Sequence, residues 1–139
     1  MADATPPMTP GSYLRKRRTA AGLSIEQVAA SIATDPRLHE IDRCAWLRLI
    51  EDDVTMVTVD IAAALLRVFR FDPDALRQLI HFHAFHSFFS HEVMLCRICG
   101  CSQRDPCWDE TTASACAWAS PGICTACATS DKLEESANA

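Results

Sequence analysis

Seven of the eight cysteines fall within residues 96–127, in the stretch CRICGCSQRDPCWDETTASACAWASPGICTAC. Two Cys-x2-Cys pairs, Cys96 with Cys99 and Cys124 with Cys127, bracket a spacer of 24 residues. Each short loop turns its two sulfurs to the same side, so the spacer need only return one knuckle to the other for four thiolates to meet on one tetrahedral zinc ion. Gly100 follows the first knuckle where a tight turn calls for positive φ, and Pro121-Gly122 marks a turn before the second. Two disulfides or an iron–sulfur cluster would use the same four residues.

Cys101, Cys107 and Cys116 remain over, at spacings that suit no standard four-ligand set by themselves. Three thiolates with a histidine from residues 81–91, such as His86, would make a second zinc site; a Cys107–Cys116 link and free thiols are the alternatives. That segment, HFHAFHSFFSH, holds His81, His83, His86 and His91 among four phenylalanines, and it reads as a helix end or hinge whose rings pack while the imidazoles stay polar. Cys44, alone in a predicted helix, reads as a packing residue. No catalysis is expected, because a closed four-thiolate zinc keeps no open position for water. The large apolar groups of residues 96–127 are Ile98, Trp108, Trp118 and Ile123, too few for a self-sufficient core, so metal must supply much of the stability. Trp108 and Trp118 are the candidate anchors for a protein interface.

The cysteines need elements to carry them, and the preceding chain reads as helical. Residues 1–10, with three prolines, read as a disordered arm; residues 11–80 as a five-helix domain; 81–95 as a His/Phe-rich helix end or connector; 96–127 as the zinc module; and 128–139 as a disordered tail. Ser12 is the expected cap of the first helix, which Gly22 closes, and Ser24 with Gln27 forms a capping box for the second. The third is predicted over 36–51, burying Leu38, Ile41, Ala45 and Leu49 with Trp46 and Ile50 alongside. Residues 54–59 read as an extended connector into a fourth helix starting near Thr58, buried through Ile61, Leu65, Leu66 and Phe69. Asp72-Pro73 opens the fifth, with Leu76, Leu79 and Ile80 in the core.

The formal net charge of −5 is unevenly spread. Residues 11–50 carry seven Lys/Arg against four acids, residues 51–92 three against seven, and the remainder three against six. A phosphate-facing surface must therefore lie in the first half, on Arg15, Lys16, Arg17, Arg18, Arg37, Arg43 and Arg48. No apolar run approaches the length of a membrane span, and the N-terminus lacks the apolar segment of an export signal, so a cytoplasmic chain with metal-bound thiolates is expected.

The stretch SYLRKRRTAAGLSIEQVAASIA, with WLRLIEDDVTMVTVDIAAALLRVFRFDPDALRQL after an interruption, resembles the Cro/repressor-like helix-turn-helix domain of the XRE type. The likeness rests on the basic first helix ending at Gly22, Ser24-x-x-Gln27, the Ile50-Glu51 pair that closes the third helix, and Phe71-Asp72-Pro73. It implies a mainly α fold and a DNA-binding transcriptional regulator of bacterial or prophage type, as a homodimer or monomer. The connection between helices two and three is longer than the family's glycine-bearing turn. Counting back from Ile50-Glu51, the base-facing positions fall near Arg43, Cys44, Ala45 and Leu49, of which Arg43 alone suits a base edge. The alternative is a protein-binding adaptor acting on transcription machinery or another regulator. The cysteine-rich segment similarly resembles the knuckles appended to bacterial and phage regulators.

Overall fold

The computed structural model describes residues 8–34, 37–86, 93–109 and 113–128. They form a mainly helical protein with two compact units, Met1–Val93 and Met94–Ala139. None of the described helices is long and apolar enough to cross a membrane.

Helix α1 (Pro10–Ala20) begins two residues before the predicted cap: Thr9, not Ser12, is the N-cap, and its hydroxyl accepts from Ser12 N. Pro10 fits the first helical position, where the missing N–H has no intrahelical partner to lose. The helix ends at Ala21, and Gly22 follows at φ +74°. Its buried face carries Tyr13, Leu14 and Arg17. The Tyr13 hydroxyl accepts from Asp72 N at 2.9 Å, and its ring meets Phe71 edge-on, tying α1 to the start of α5.

Helix α2 (Ile25–Ser31) opens with the full capping box, the Ser24 hydroxyl accepting from Gln27 N and the Gln27 amide oxygen from Ser24 N. It packs on α3 (Glu40–Glu51), to which residues 32–39 connect it; Asp35 and Pro36 lie outside the described residues. Helix α3 starts four residues later than expected and turns a different stripe inward. Arg43, Cys44, Leu47, Ile50 and Glu51 are buried, whereas Ile41 is 83% and Leu49 43% exposed. The reason is Arg43. Its Nε donates to Ala29 O at 2.5 Å and its Nη1 to Leu38 O at 2.7 Å, so one guanidinium supplies donors to α2 and to the connection. A cation that answers carbonyls otherwise without partners outweighs the apolar periodicity. Arg43→Ala is expected to destabilise the helical unit by about 2–4 kcal/mol, because two charge-assisted hydrogen bonds go and the carbonyls are stranded; chemical denaturation measures it, and a loss below about 1 kcal/mol would show the contacts to be incidental.

The end of α3 is the keystone of this unit. Asp52 caps it, Asp53 follows at φ +60°, and the Asp53 carboxylate accepts from Gly11 N at 2.8 Å. A Cβ on Gly11 would stand 2.5 Å from the carbonyl oxygens of Ile50 and Glu51, so only glycine allows α1 to approach so closely. Residues 54–58 join α3 to α4 without strand pairing, but they are not extended throughout: Val54 and Thr55 bend back, both donating N–H to Leu49 O. Helix α4 (Val59–Leu66), capped by Thr58, buries Leu65; Phe69 is buried just beyond it, while Ile61 is half-buried and Leu66 42% exposed. Helix α5 (Pro73–Phe85) is capped by Asp72, whose carboxylate accepts from Asp74 N and Ala75 N, and buries Ala75, Leu76 and Leu79. It continues to Phe85, within the segment read as a helix end or connector, and ends on His86, which holds φ +57°.

The second unit is built from turns. Strands β1 (Trp108–Asp109) and β2 (Ser114–Ala115) pair antiparallel, as do β3 (Trp118–Ser120) and β4 (Ile123–Cys124), and a single turn of helix, α6 (Thr125–Ala128), follows. Neither hairpin is expected from the sequence, since two-residue strands carry no readable alternation. The tail beyond residue 128 lies outside the described residues.

Candidate metal centre

The turns of the second unit, with the end of β4 and α6, bring its sulfurs to one place. The first knuckle closes through Gly100 N to Cys96 O at 2.9 Å, with Gly100 at φ +78°, and Cys96 N donates to Cys101 O at 3.0 Å, which folds Cys101 back over the knuckle. Arg97 N donates to Gly122 O at 2.8 Å, bringing the β3–β4 turn and the second knuckle alongside. Gly122, at φ +82°, leaves room for the Arg97 side chain, whose Nε a Cβ would meet at 3.2 Å. Cys124 ends β4, and Cys127 follows within α6, where Thr125 fixes the entry by donating N–H to Ala117 O and accepting from Ala117 N. Cys107 and Cys116 come together through Cys116 N to Cys107 O at 2.8 Å. A paired turn at Ser102 and Asp105, with both side chains buried, links Cys101 to Cys107.

The buried cluster is sulfur: Cys96, Cys99, Cys101, Cys124 and Cys127, with Cys107, Cys116, Ile98, Trp118 and Ile123 packed against it. Two overlapping quartets have all four sulfurs within 4.8 Å of one another, Cys96/Cys99/Cys101/Cys124 and Cys101/Cys107/Cys116/Cys124. A tetrahedron with metal–sulfur bonds of about 2.3 Å has edges of about 3.8 Å. The observed Cys99–Cys124 separation of 3.9 Å and the Cys101–Cys116 separation of 3.7 Å match it. Cys99–Cys107 is tighter, at 3.3 Å. These cysteines could hold a metal ion.

Backbone amides already point at two of the sulfurs, Cys101 N at Cys99 Sγ (3.5 Å) and Cys107 N at Cys116 Sγ (3.3 Å). Hydrogen bonds from the Cys101 and Cys99 thiols hold Cys96 far below the ordinary thiol range. Its neighbours move the other way: hydrogen bonding to Cys107 and then to Cys96 raises Cys101, and burial pushes Cys127 up to about 12. So many sulfurs in one small volume cannot all ionise against each other, and a divalent cation that replaces the protons relieves the conflict.

The structure distributes the expected site residues as follows. Cys96, Cys99 and Cys124 share a quartet, and Cys127 is buried beside them. Cys101, Cys107 and Cys116 do come together, and among the described residues the group that completes their set is the thiol of Cys124, where a histidine was expected. His86 belongs to the helical unit and is exposed; His91 lies outside the described residues. Cys101 and Cys124 belong to both quartets, an overlap that the spacing of two Cys-x2-Cys pairs does not signal. Of the aromatic pair, Trp108 is 62% exposed, whereas Trp118 is half-buried against the cysteines.

The basic residues are largely engaged within the helical unit. Arg18 reaches Glu51 through Nε at 2.5 Å and Nη2 at 3.1 Å, and Arg15 reaches Glu51 at 3.4 Å and Asp52 at 2.8 Å. Arg17 and Arg43 are both 7% exposed. Arg48 pairs with Glu26 across α2 and α3 at 3.2 Å, an exposed contact worth little. Arg37 is exposed and Lys16 half-buried. The outward positions in the first turns of α3 are Glu40, Ile41, Asp42 and Ala45. No protein-family model, curated protein or solved structure matches the chain.

Proposed function

We propose that this chain is a zinc-binding adaptor in transcription control, working in the reducing cytosol. Its thiolate-held zinc fixes the fold of residues 94–128, and its helix-turn-helix-like unit serves as a scaffold that meets a protein instead of reading bases. The zinc assignment is supported by the all-sulfur donor set, which suits zinc and closes the site to water. The observation that carries the adaptor reading is the engagement of Arg43. In helix-turn-helix proteins the N-terminal residues of the second helix meet base edges. Here the sole base-reading candidate has its guanidinium committed to Ala29 O and Leu38 O, and Glu40 and Asp42 face outward in its place. Carboxylates there repel phosphate, and with Ile41 and Leu49 they suit a protein surface that is apolar with a basic rim. Trp108, exposed on an acidic module, is an anchor of the kind that dominates protein interfaces.

Direct DNA binding is the second reading, favoured by the packing of α2 on α3 and by Lys16, Arg37 and Arg48 on that unit. A mobility-shift assay across a salt series, run beside affinity capture on the zinc-loaded chain, separates the two. The adaptor reading expects no retarded complex at physiological salt and a captured protein lost in Trp108→Ala. A retarded complex whose logarithm of affinity falls with the logarithm of salt at a slope of about −3 would overturn it in favour of DNA.

A further inference from the structure

We propose that the cysteine cluster is a binuclear centre, two zinc ions joined through the shared thiolate of Cys124. This rests on the zinc reading above and extends it from one ion to two. One quartet alone would explain four cysteines and leave three thiols idle in the same small core. Two tetrahedral ions present eight coordination positions. Seven cysteines lie in the cluster, so filling every position requires one sulfur to serve both ions. Cys101 and Cys124 are common to both quartets, and of the two Cys124 is the one paired by a Cys-x2-Cys knuckle with a further buried thiol, Cys127, that can take the remaining position on the first ion. It is 1% exposed, at the end of β4, where the β3–β4 turn holds it against the first knuckle and the Ala117–Thr125 contacts hold it near Cys116.

The first ion takes Cys96, Cys99, Cys127 and Cys124; the second takes Cys101, Cys107, Cys116 and Cys124. Cys127 is given to the first because α6 carries it, buried in the same cluster, three residues on from Cys124, and the second quartet is complete without it. Cys101 belongs to the second because its sulfur lies 3.7 Å from Cys116, at a tetrahedral edge, and its chain runs on through the Ser102–Asp105 turn to Cys107. The amides of Cys101 and Cys107, pointed at Cys99 Sγ and Cys116 Sγ, place one N–H donor at each ion's ligand set.

The test is cadmium-113 NMR of the full chain, loaded with cadmium-113 in place of zinc, with metal content measured on the same sample. Two ions per chain, giving two resonances in the tetrathiolate region that split each other by coupling through a common sulfur, are expected. Cys107→Ser should retain one ion and one unsplit resonance. Two unsplit resonances would overturn the bridge, and a single ion per wild-type chain would overturn the second site while leaving the one-zinc reading standing. No retained metal would overturn both.

Discussion

Cys99→Ser is expected to release metal and unfold residues 94–128 while the helical unit keeps its helices. The cluster is the core of its unit: the buried side chains there are chiefly thiols, and among the described residues Leu95, Ile98, Trp118 and Ile123 add the sizeable apolar area. Strands of two or three residues cannot hold such a unit by themselves. Structural zinc held by thiolates contributes on the order of 10–16 kcal/mol to folding, far more than the little apolar area here can supply. Cys99 lies 3.3 Å from Cys107 and 3.9 Å from Cys124, so its loss disturbs both halves of the cluster. Proton–nitrogen correlation spectra should show resonances of residues 94–128 collapsing to unfolded shifts, with those of α1 to α5 retained. A metal-free variant with a dispersed spectrum for that unit would contradict the claim that metal folds it.

The second large effect is expected from Glu51→Ala, which should cost the helical unit about 3–5 kcal/mol. The Glu51 side chain is 8% exposed and its principal partner Arg18 12%, so this is a nearly buried pair and not a surface one. Both carboxylate oxygens are used by Arg18, and Arg15 adds a longer contact at 3.4 Å. Removing the carboxylate leaves the Arg18 guanidinium half-enclosed with Leu23 O as its remaining acceptor in that set. The pair also sits where α1 crosses the end of α3 at Gly11, so it fastens the tightest helix contact of the unit. For a domain of this size the fall in Tm should exceed about 10 °C. A shift below about 3 °C would mean that Arg15 and Arg18 are solvated cations, and would return them to the pool that could meet phosphate.

Local signals in the sequence carry most of the helical unit. The Ser24–Gln27 capping box, Gly22, Asp72-Pro73 and the break at Asp52-Asp53 all stand where local chemistry puts them, because each acts within three or four residues. The first cap was misplaced by competition, since Thr9 and Ser12 are both good caps and Pro10 decides for the earlier one. The register of α3 was not legible for a different reason. Its inward face is set by Arg43 and Glu51, charged residues that periodicity assigns to solvent and that are buried through partners on α2 and α1. In the second unit the knuckles and their glycines were readable from spacing, whereas the place of Cys101, Cys107 and Cys116 around Cys124 was not. That depends on two hairpins too short to leave a pattern.

Native mass spectrometry of the full chain, purified under reducing conditions and compared with the same sample after acid denaturation, tests the central claim most directly. Every folded chain is expected to carry zinc and to return to its apo mass, with all eight cysteines reduced, when denatured. A folded chain already at its apo mass, or lighter by the hydrogens lost to disulfides, would contradict it.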